Sequence, residues 1–256
     1  MPEWLELFTV ALLGLCIGSF LNVCAYRLPL GESIVSPASR CTSCGRTLSW
    51  FDNLPVLSWI ALRGRCRTCK APVSWMYPTV EIITSLVFVI TYLTYGLTLM
   101  SLVRVAFACA LIVLFITDLQ HKILPNAITL PGIVVGFVCS VFLPPGWVSS
   151  LIGLIVGGGF LWAIAEAYYR FRGQEGLGMG DVKLLAMIGA FLGWKLVLLT
   201  LVFASFTGSL AGGLLIASGR GNMKYALPFG TFLAVGALFA ATWGEPIADW
   251  YFGFYQ

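Results

Sequence analysis

The chain has 256 residues, 59% of them hydrophobic and only 10% charged, with a mean hydropathy of +0.92 and a formal charge of +4. A soluble domain is about 45–50% apolar and about 25% charged, so the composition excludes a simple soluble enzyme, a disordered chain and a nucleic-acid binder built on a dense basic surface. What remains is an all-α polytopic membrane protein whose surroundings are a lipid bilayer, with no nucleic acid as partner.

A helical span needs roughly 20 apolar residues. In chain order, eight stretches are candidates: about 5–26, 79–99, 102–117, 126–144, 148–169, 181–193, 195–218 and 226–246. The third and sixth are short. No Lys or Arg precedes Arg27, and Glu3 stands near the start, so the first stretch is expected to be a retained span rather than a cleaved signal. Three parts follow: a first transmembrane helix at 1–28, a cytoplasmic zinc-binding loop domain at 29–78, and a seven-helix membrane core at 79–256. Eight spans put 28–78, 118–125, 170–180 and 219–225 on one side, and with Arg27 and Lys183 that side holds 13 of the 15 Lys and Arg residues. The positive-inside rule makes it the cytoplasmic side.

Cys41 and Cys44, then Cys66 and Cys69, form two C-x-x-C pairs in the one long polar stretch. Two such turns aim four sulfurs at one ion, the pattern of a closed structural zinc site. A reducing compartment argues against disulfides, and the surrounding Arg40, Arg46, Arg63, Arg65, Arg67 and Lys70 favour thiolates. Four cysteines leave no open position for a catalytic water.

Most of the acids have plain structural readings. Glu81, after Pro78, suits the first turn of a helix, Glu166 precedes Arg170 by four residues, and Asp52 and Glu175 lie in loops. Asp118 and Asp181 differ. Asp118 ends the third stretch, Asp181 opens the sixth behind Gly178-Met179-Gly180, and both fall at the same membrane edge. Each alone has a plain reading, Asp181 as a helix N-cap and Asp118 as a polar helix end contacting Lys122 or His121. Together they suit an acid–base pair sharing one proton, which activates water and protonates a leaving group without metal. A helix N-terminus favours an anion, which suggests Asp181 as the ionised base and Asp118 as the protonated acid. Gly178 and Gly180 are expected to give unusual dihedrals and close substrate approach. Ala226-Leu227-Pro228-Phe229-Gly230 is either a proline helix start or a break that offers backbone groups to an extended peptide. His121 is the only histidine, so no His-based triad is available.

These motifs resemble the type IV prepilin peptidases, the leader peptidase/N-methyltransferase family of Gly-x-Gly-Asp intramembrane aspartyl proteases, over nearly the whole chain. The resemblance rests on Gly18-Ser19-Phe20-Leu21-Asn22-Val23, Arg27-Leu28-Pro29, the four-cysteine loop with Trp50-Phe51-Asp52-Asn53-Leu54-Pro55, Asp118-Leu119, Gly178-Met179-Gly180-Asp181 and Pro228-Phe229-Gly230. Tyr26, Met76 and Asn126 depart from the family pattern, as does the missing Pro after Cys41. The resemblance implies cleavage of a basic leader from prepilin or pseudopilin substrates at the cytoplasmic boundary of the bacterial inner membrane, by Asp118 and Asp181. Gly178, Gly180, Pro228, Phe229 and Gly230 would meet the substrate. It also implies methylation of the new amino terminus with S-adenosylmethionine, whose suggested site is the loop around Asn53, Arg63 and Glu81. The rival readings are an ion-coupled transporter with intramembrane carboxylates and a noncatalytic scaffold. A transporter would place its acids near the midplane among internal repeats, and no repeat is visible.

Overall fold

The structure is a computed structural model and describes residues 2–173, 178–219 and 227–253. Glu175 and Ala226 lie outside the described residues. Among the described residues eight α-helices follow in order: α1 Glu3–Arg27, α2 Leu57–Ala61, α3 Met76–Tyr95, α4 Leu99–His121, α5 Asn126–Phe142, α6 Trp147–Arg172, α7 Met179–Ala217 and α8 Phe229–Gly253. The chain forms two compact units, Met1–Val113 and Leu114–Gln256.

In the first unit α1 and α3 pack antiparallel. Ser85 Oγ donates to the Ala11 carbonyl at 2.9 Å, Asn22 Nδ2 donates to the Tyr77 carbonyl at 3.1 Å, and the Tyr92 hydroxyl donates to Glu6. Such polar clasps matter where lipid removes the hydrophobic drive between helices. Arg27, buried at the end of α1, donates to the Ser33 and Pro37 carbonyls at 2.9 and 2.8 Å and so ties the helix to the loop that follows.

The second unit is built around α7, which packs against α5, α6 and α8. Its fully buried side chains include Leu184, Leu185, Met187, Ile188, Leu196 and Leu233. Ser150 Oγ of α6 donates to the Ala190 carbonyl at 2.7 Å. Arg170 and Glu166 form the expected i,i+4 pair at 2.7 Å on the exposed end of α6.

The expected eight separate spans are not seen as eight separate helices. Among the described residues six helices are long and apolar enough to cross a membrane, α5 with 17 residues is shorter, and the sixth and seventh expected stretches are joined in the 39-residue α7. That element is not straight. Gly193 has φ 78° and ψ 178°, a region open essentially to glycine alone. A Cβ placed on Gly157 of α6 would lie 2.7 Å from the Leu185 carbonyl oxygen and 3.0 Å from Val197 Cγ2. In a straight helix those two residues stand roughly 18 Å apart along the axis. The chain therefore reverses at Gly193, and the two arms of α7 run side by side. The second arm then packs along α8, with Thr200 beside Gly236 and Leu196 beside Gly244.

Candidate active site

Asp118 sits in the last turn of α4, only 4% exposed, behind the buried Leu114, Ile116 and Thr117. The chain turns at Lys122, in the left-handed region with φ 54°, and Pro125 caps the start of α5. Asp181 is the third residue of α7 and is half-buried. It does not cap the helix; Gly178 occupies that position, and the Asp181 amide donates to the Gly178 carbonyl at 3.0 Å.

The two carboxyl groups meet over the start of α8. A Cβ placed on Gly230 would lie 3.0 Å from Asp118 Oδ2 and 3.1 Å from Asp181 Oδ1. Thr231 follows, and its amide and hydroxyl both donate to Asp118 Oδ2, at 2.6 and 2.9 Å. That oxygen is committed as an acceptor, so a proton carried by Asp118 belongs on Oδ1. Leu124 closes the floor, with its side chain against both Gly180 and Gly230. Lys183 donates to Asn126 Oδ1 at 2.9 Å and ties the start of α7 to the start of α5.

The structure therefore brings Asp118, Asp181, Gly178, Gly180 and Gly230 together, with Pro228 and Phe229 leading into α8. The expectation of unusual dihedrals at Gly178 and Gly180 is corrected. Gly178 has φ −70° and ψ 134°, ordinary extended backbone, and Gly180 is inside the helix. What these positions supply is the missing side chain: Gly180 accepts the Leu124 side chain, and Gly178 lies beside Asp181 Oδ2. Thr231 lies in no motif read from the sequence, and Leu124, within Leu124-Pro125-Asn126 of the family pattern, has no role assigned to it there. They are identified by the helices that converge here.

The four cysteines form a second centre, within the first unit. The ligand atoms of Cys41, Cys44, Cys66 and Cys69 all lie within 4.8 Å of one another, and Cys41 and Cys69 Sγ are 3.9 Å apart. Two matching turns create this. The Cys41 amide donates to the Arg46 carbonyl and the Cys66 amide to the Ala71 carbonyl, both at 2.9 Å, with single β-bridges Arg40–Thr47 and Arg65–Pro72 beside them. Amides of Cys69 and Thr68 pull the Cys66 thiol down to about 6. The Ala71 amide would lower Cys69 too, but burial and the three neighbouring sulfurs push it up to about 11. Four sulfurs this close cannot all ionise by themselves, and the donor set fits a tetrahedral zinc ion, which stabilises all four as thiolates. Asp52 joins the turns, accepting from Arg46 at 3.1 Å and from Arg67 at 2.8 Å.

The chain matches the family described as Bacterial Peptidase A24 N-terminal domain over residues 12–95 and the Type IV leader peptidase family over residues 105–213. A protein of Pseudomonas putida named Prepilin leader peptidase/N-methyltransferase is 38% identical, over 92% of this chain and 90% of its own length. Proteins of the same name from Myxococcus xanthus and Aeromonas hydrophila are 43% and 34% identical, over 85% and 97% of this chain and 66% and 94% of their own lengths. The chain belongs to the type IV leader peptidase family. It is a multi-pass helical membrane peptidase. No solved structure matches it.

A third feature of this leader peptidase is a cavity of about 1120 Å³ in the first unit, walled by α1, the loop and the start of α3. Of the three residues suggested for the methyl donor, Asn53 and Glu81 line it, while Arg63 is exposed outside it with φ 52°. Glu81 is also beyond the first turn of α3 and is buried, so complementing the helix dipole does not explain it.

Proposed function

We propose that this chain cuts the basic leader from prepilin or pseudopilin substrates where the peptide leaves the membrane on the cytoplasmic side, using Asp118 and Asp181 as a pair. The observation that carries this reading is the convergence of both carboxyls on Gly230, where no side chain intervenes. One carboxylate takes a proton from water, the resulting hydroxide attacks the scissile carbonyl, and the other carboxyl gives its proton to the departing amine. The half-exposed Asp181 opens the pair to the substrate, and Thr231 fixes the buried Asp118. Gly178, Gly180, Pro228 and Phe229 border the site and would meet the peptide backbone.

The names of the relatives support a second step, methylation of the new amino terminus with S-adenosylmethionine. In this reading the four cysteines hold a structural zinc, and the protein is an inner-membrane protein with its basic loops and both centres facing the cytoplasm. The two arms of α7 and the shorter α5 would bring the number of crossings to eight.

A prepilin peptide incubated with the purified protein in detergent tests this reading. Mass spectrometry should find the leader released by the wild type, a methyl group on the product only when the donor is added, and no cleavage by Asp118→Asn or Asp181→Asn. Cleavage that survives both substitutions would overturn the dyad.

A further inference from the structure

In the loop between α1 and α3 several large apolar side chains stand out of the fold. Leu57 and Ile60 of α2 are 67% and 60% exposed, and Trp50 and Trp75 are 77% and 69% exposed. Leu57 and Ile60, three positions apart, share one face of the helix. Trp59 takes the opposite face: its Nε1 donates to the Val73 carbonyl at 3.1 Å, and a Cβ placed on Gly64 would lie 2.9 Å from its ring. Trp50 opens a short 3-10 turn, Trp50–Asn53, that packs on α2, and Trp75 immediately precedes α3.

The height of α2 is fixed as well. The Val56 amide, at its start, donates to Glu81 Oε2 at 2.7 Å. Glu81 is the sixth residue of α3, about 7.5 Å along it. The 20 residues of α3 measure about 30 Å, and a hydrocarbon core of about 30 Å requires all of them. Helix side chains lean toward the N-terminus, so this bond sets α2 at the rim of the hydrocarbon rather than above it in water. On the other side of Glu81, a Cβ placed on Gly18 of α1 would lie 2.7 Å from its Cα, and α1 runs on from there to Arg27. The loop is also basic. Residues 29–78 hold Arg40, Arg46, Arg63, Arg65, Arg67 and Lys70 against Glu32 and Asp52, and Asp52 is already paired with Arg46 and Arg67.

We propose that α2 is a membrane-surface foot: Leu57 and Ile60 enter the acyl boundary, Trp50 and Trp75 sit among the headgroups, and the partner is anionic lipid. Exposed apolar side chains gathered at a membrane rim are covered by lipid at no cost, whereas water would penalise them. Tryptophan is enriched at that level, and surplus basic charge is attracted to anionic headgroups. Five helical residues alone would hold weakly. Here the flanking spans α1 and α3 keep them at the surface, so the contact is intramolecular. Through Trp59 and Val73 the foot is joined to the second cysteine turn, so it seats the four-cysteine loop on the bilayer. This seat requires the membrane crossings of α1 and α3 and neither chemical step.

Fluorescence quenching of the zinc-loaded full-length protein in lipid nanodiscs tests this. An environment-sensitive fluorescent amino acid replaces Leu57 in one variant and Ile60 in another, both exposed positions. Brominated lipid should quench most of the emission from either label. Acrylamide in the water should quench it several-fold less than in the denatured protein, and less again when phosphatidylglycerol replaces phosphatidylcholine. Effective quenching by acrylamide with none by brominated lipid would put α2 in water and overturn the proposal. Protection from both quenchers would give the face to a second copy or another protein and overturn it too. Equal acrylamide quenching in the two lipids would overturn the choice of anionic lipid. As a second measurement, Leu57→Gln combined with Ile60→Gln should make trypsin cut at Arg63 several-fold faster in nanodiscs at unchanged zinc content. An unchanged rate would mean that the foot does not hold the loop.

Discussion

Gly230 has no room for a side chain. A Cβ there would stand 2.9 Å from Leu124 Cδ1 as well as within 3.1 Å of a carboxyl oxygen of each aspartate. Gly230→Ala should therefore part the carboxyls rather than unfold α8, since alanine is a better helix former than glycine. Cleavage should fall at least about a hundredfold, the scale of a misplacement near 1 Å, while the thermal midpoint stays near wild type. Thr231 offers a finer probe. Thr231→Val removes the 2.9 Å hydroxyl bond to Asp118 and keeps the amide bond. A hydrogen bond between neutral groups is worth about 0.5–1.5 kcal/mol, so kcat should drop about two- to tenfold with KM little changed, and Thr231→Ser should restore it. A drop that serine does not rescue would assign Thr231 to packing alone. The aspartates were legible in the sequence because acids at a membrane edge demand a reason. Thr231 was not, because a threonine in a helix is ordinary until its partner, over a hundred positions away in the chain, is known.

The four-cysteine loop and α7 show what whole elements disclose. The spacing of the cysteines alone announced a metal centre, since two C-x-x-C turns have few other uses in a reducing compartment. The part played by Asp52 was hidden, because an acid in a loop has no periodicity to betray it. Burial would raise the Asp52 carboxyl, but the Arg67 hydrogen bond, the Ser49 amide and the charges of Arg67 and Arg46 outweigh burial and hold it below the ordinary carboxylate range. A carboxyl lower in the folded than in the unfolded state stabilises fully above its unfolded value of about 3.9, and that contribution is lost as pH falls through the folded value. Asp52 thus still holds the two turns together at the mildly acidic pH where protons compete with zinc for the sulfurs. In an acid titration of bound zinc, Asp52→Asn should release the metal at a higher pH than the wild type. Identical release midpoints would mean that Asp52 does not brace the cluster. In α7 the expected boundary between the stretches 181–193 and 195–218 coincides with the reversal at Gly193. The sequence marks it with Gly193-Trp194-Lys195, whose lysine is the one charged residue between Leu184 and Ala217. It could not show that a single residue makes the turn, because that depends on a dihedral pair only glycine adopts.

On the scale of the whole molecule, the placement of charge and the path of α7 lead to one topological expectation. Thirteen of the 15 Lys and Arg residues fall on one set of loops or beside it, and the exceptions are Arg104 and Lys195. Lys195 stands two residues past the reversal at Gly193, at the opposite end of the first arm of α7 from Asp181. A straight α7 of 39 residues would measure roughly 58 Å at 1.5 Å per residue, far beyond a hydrocarbon core of about 30 Å. Folded at Gly193, the chain runs out over about 21 Å and back over about 36 Å, and Asp181 and Ala217 return to the same side. In the second unit, reporters fused after Lys122, Gly173 and Gly219 should then read as cytoplasmic, and reporters fused after Pro145 and Lys195 as external. The decisive position is Lys195. A cytoplasmic signal there, with external signals after Gly173 and Gly219, would turn the unit over. The dyad would then face away from the compartment in which a prepilin leader is made, and the proposed cleavage could not occur.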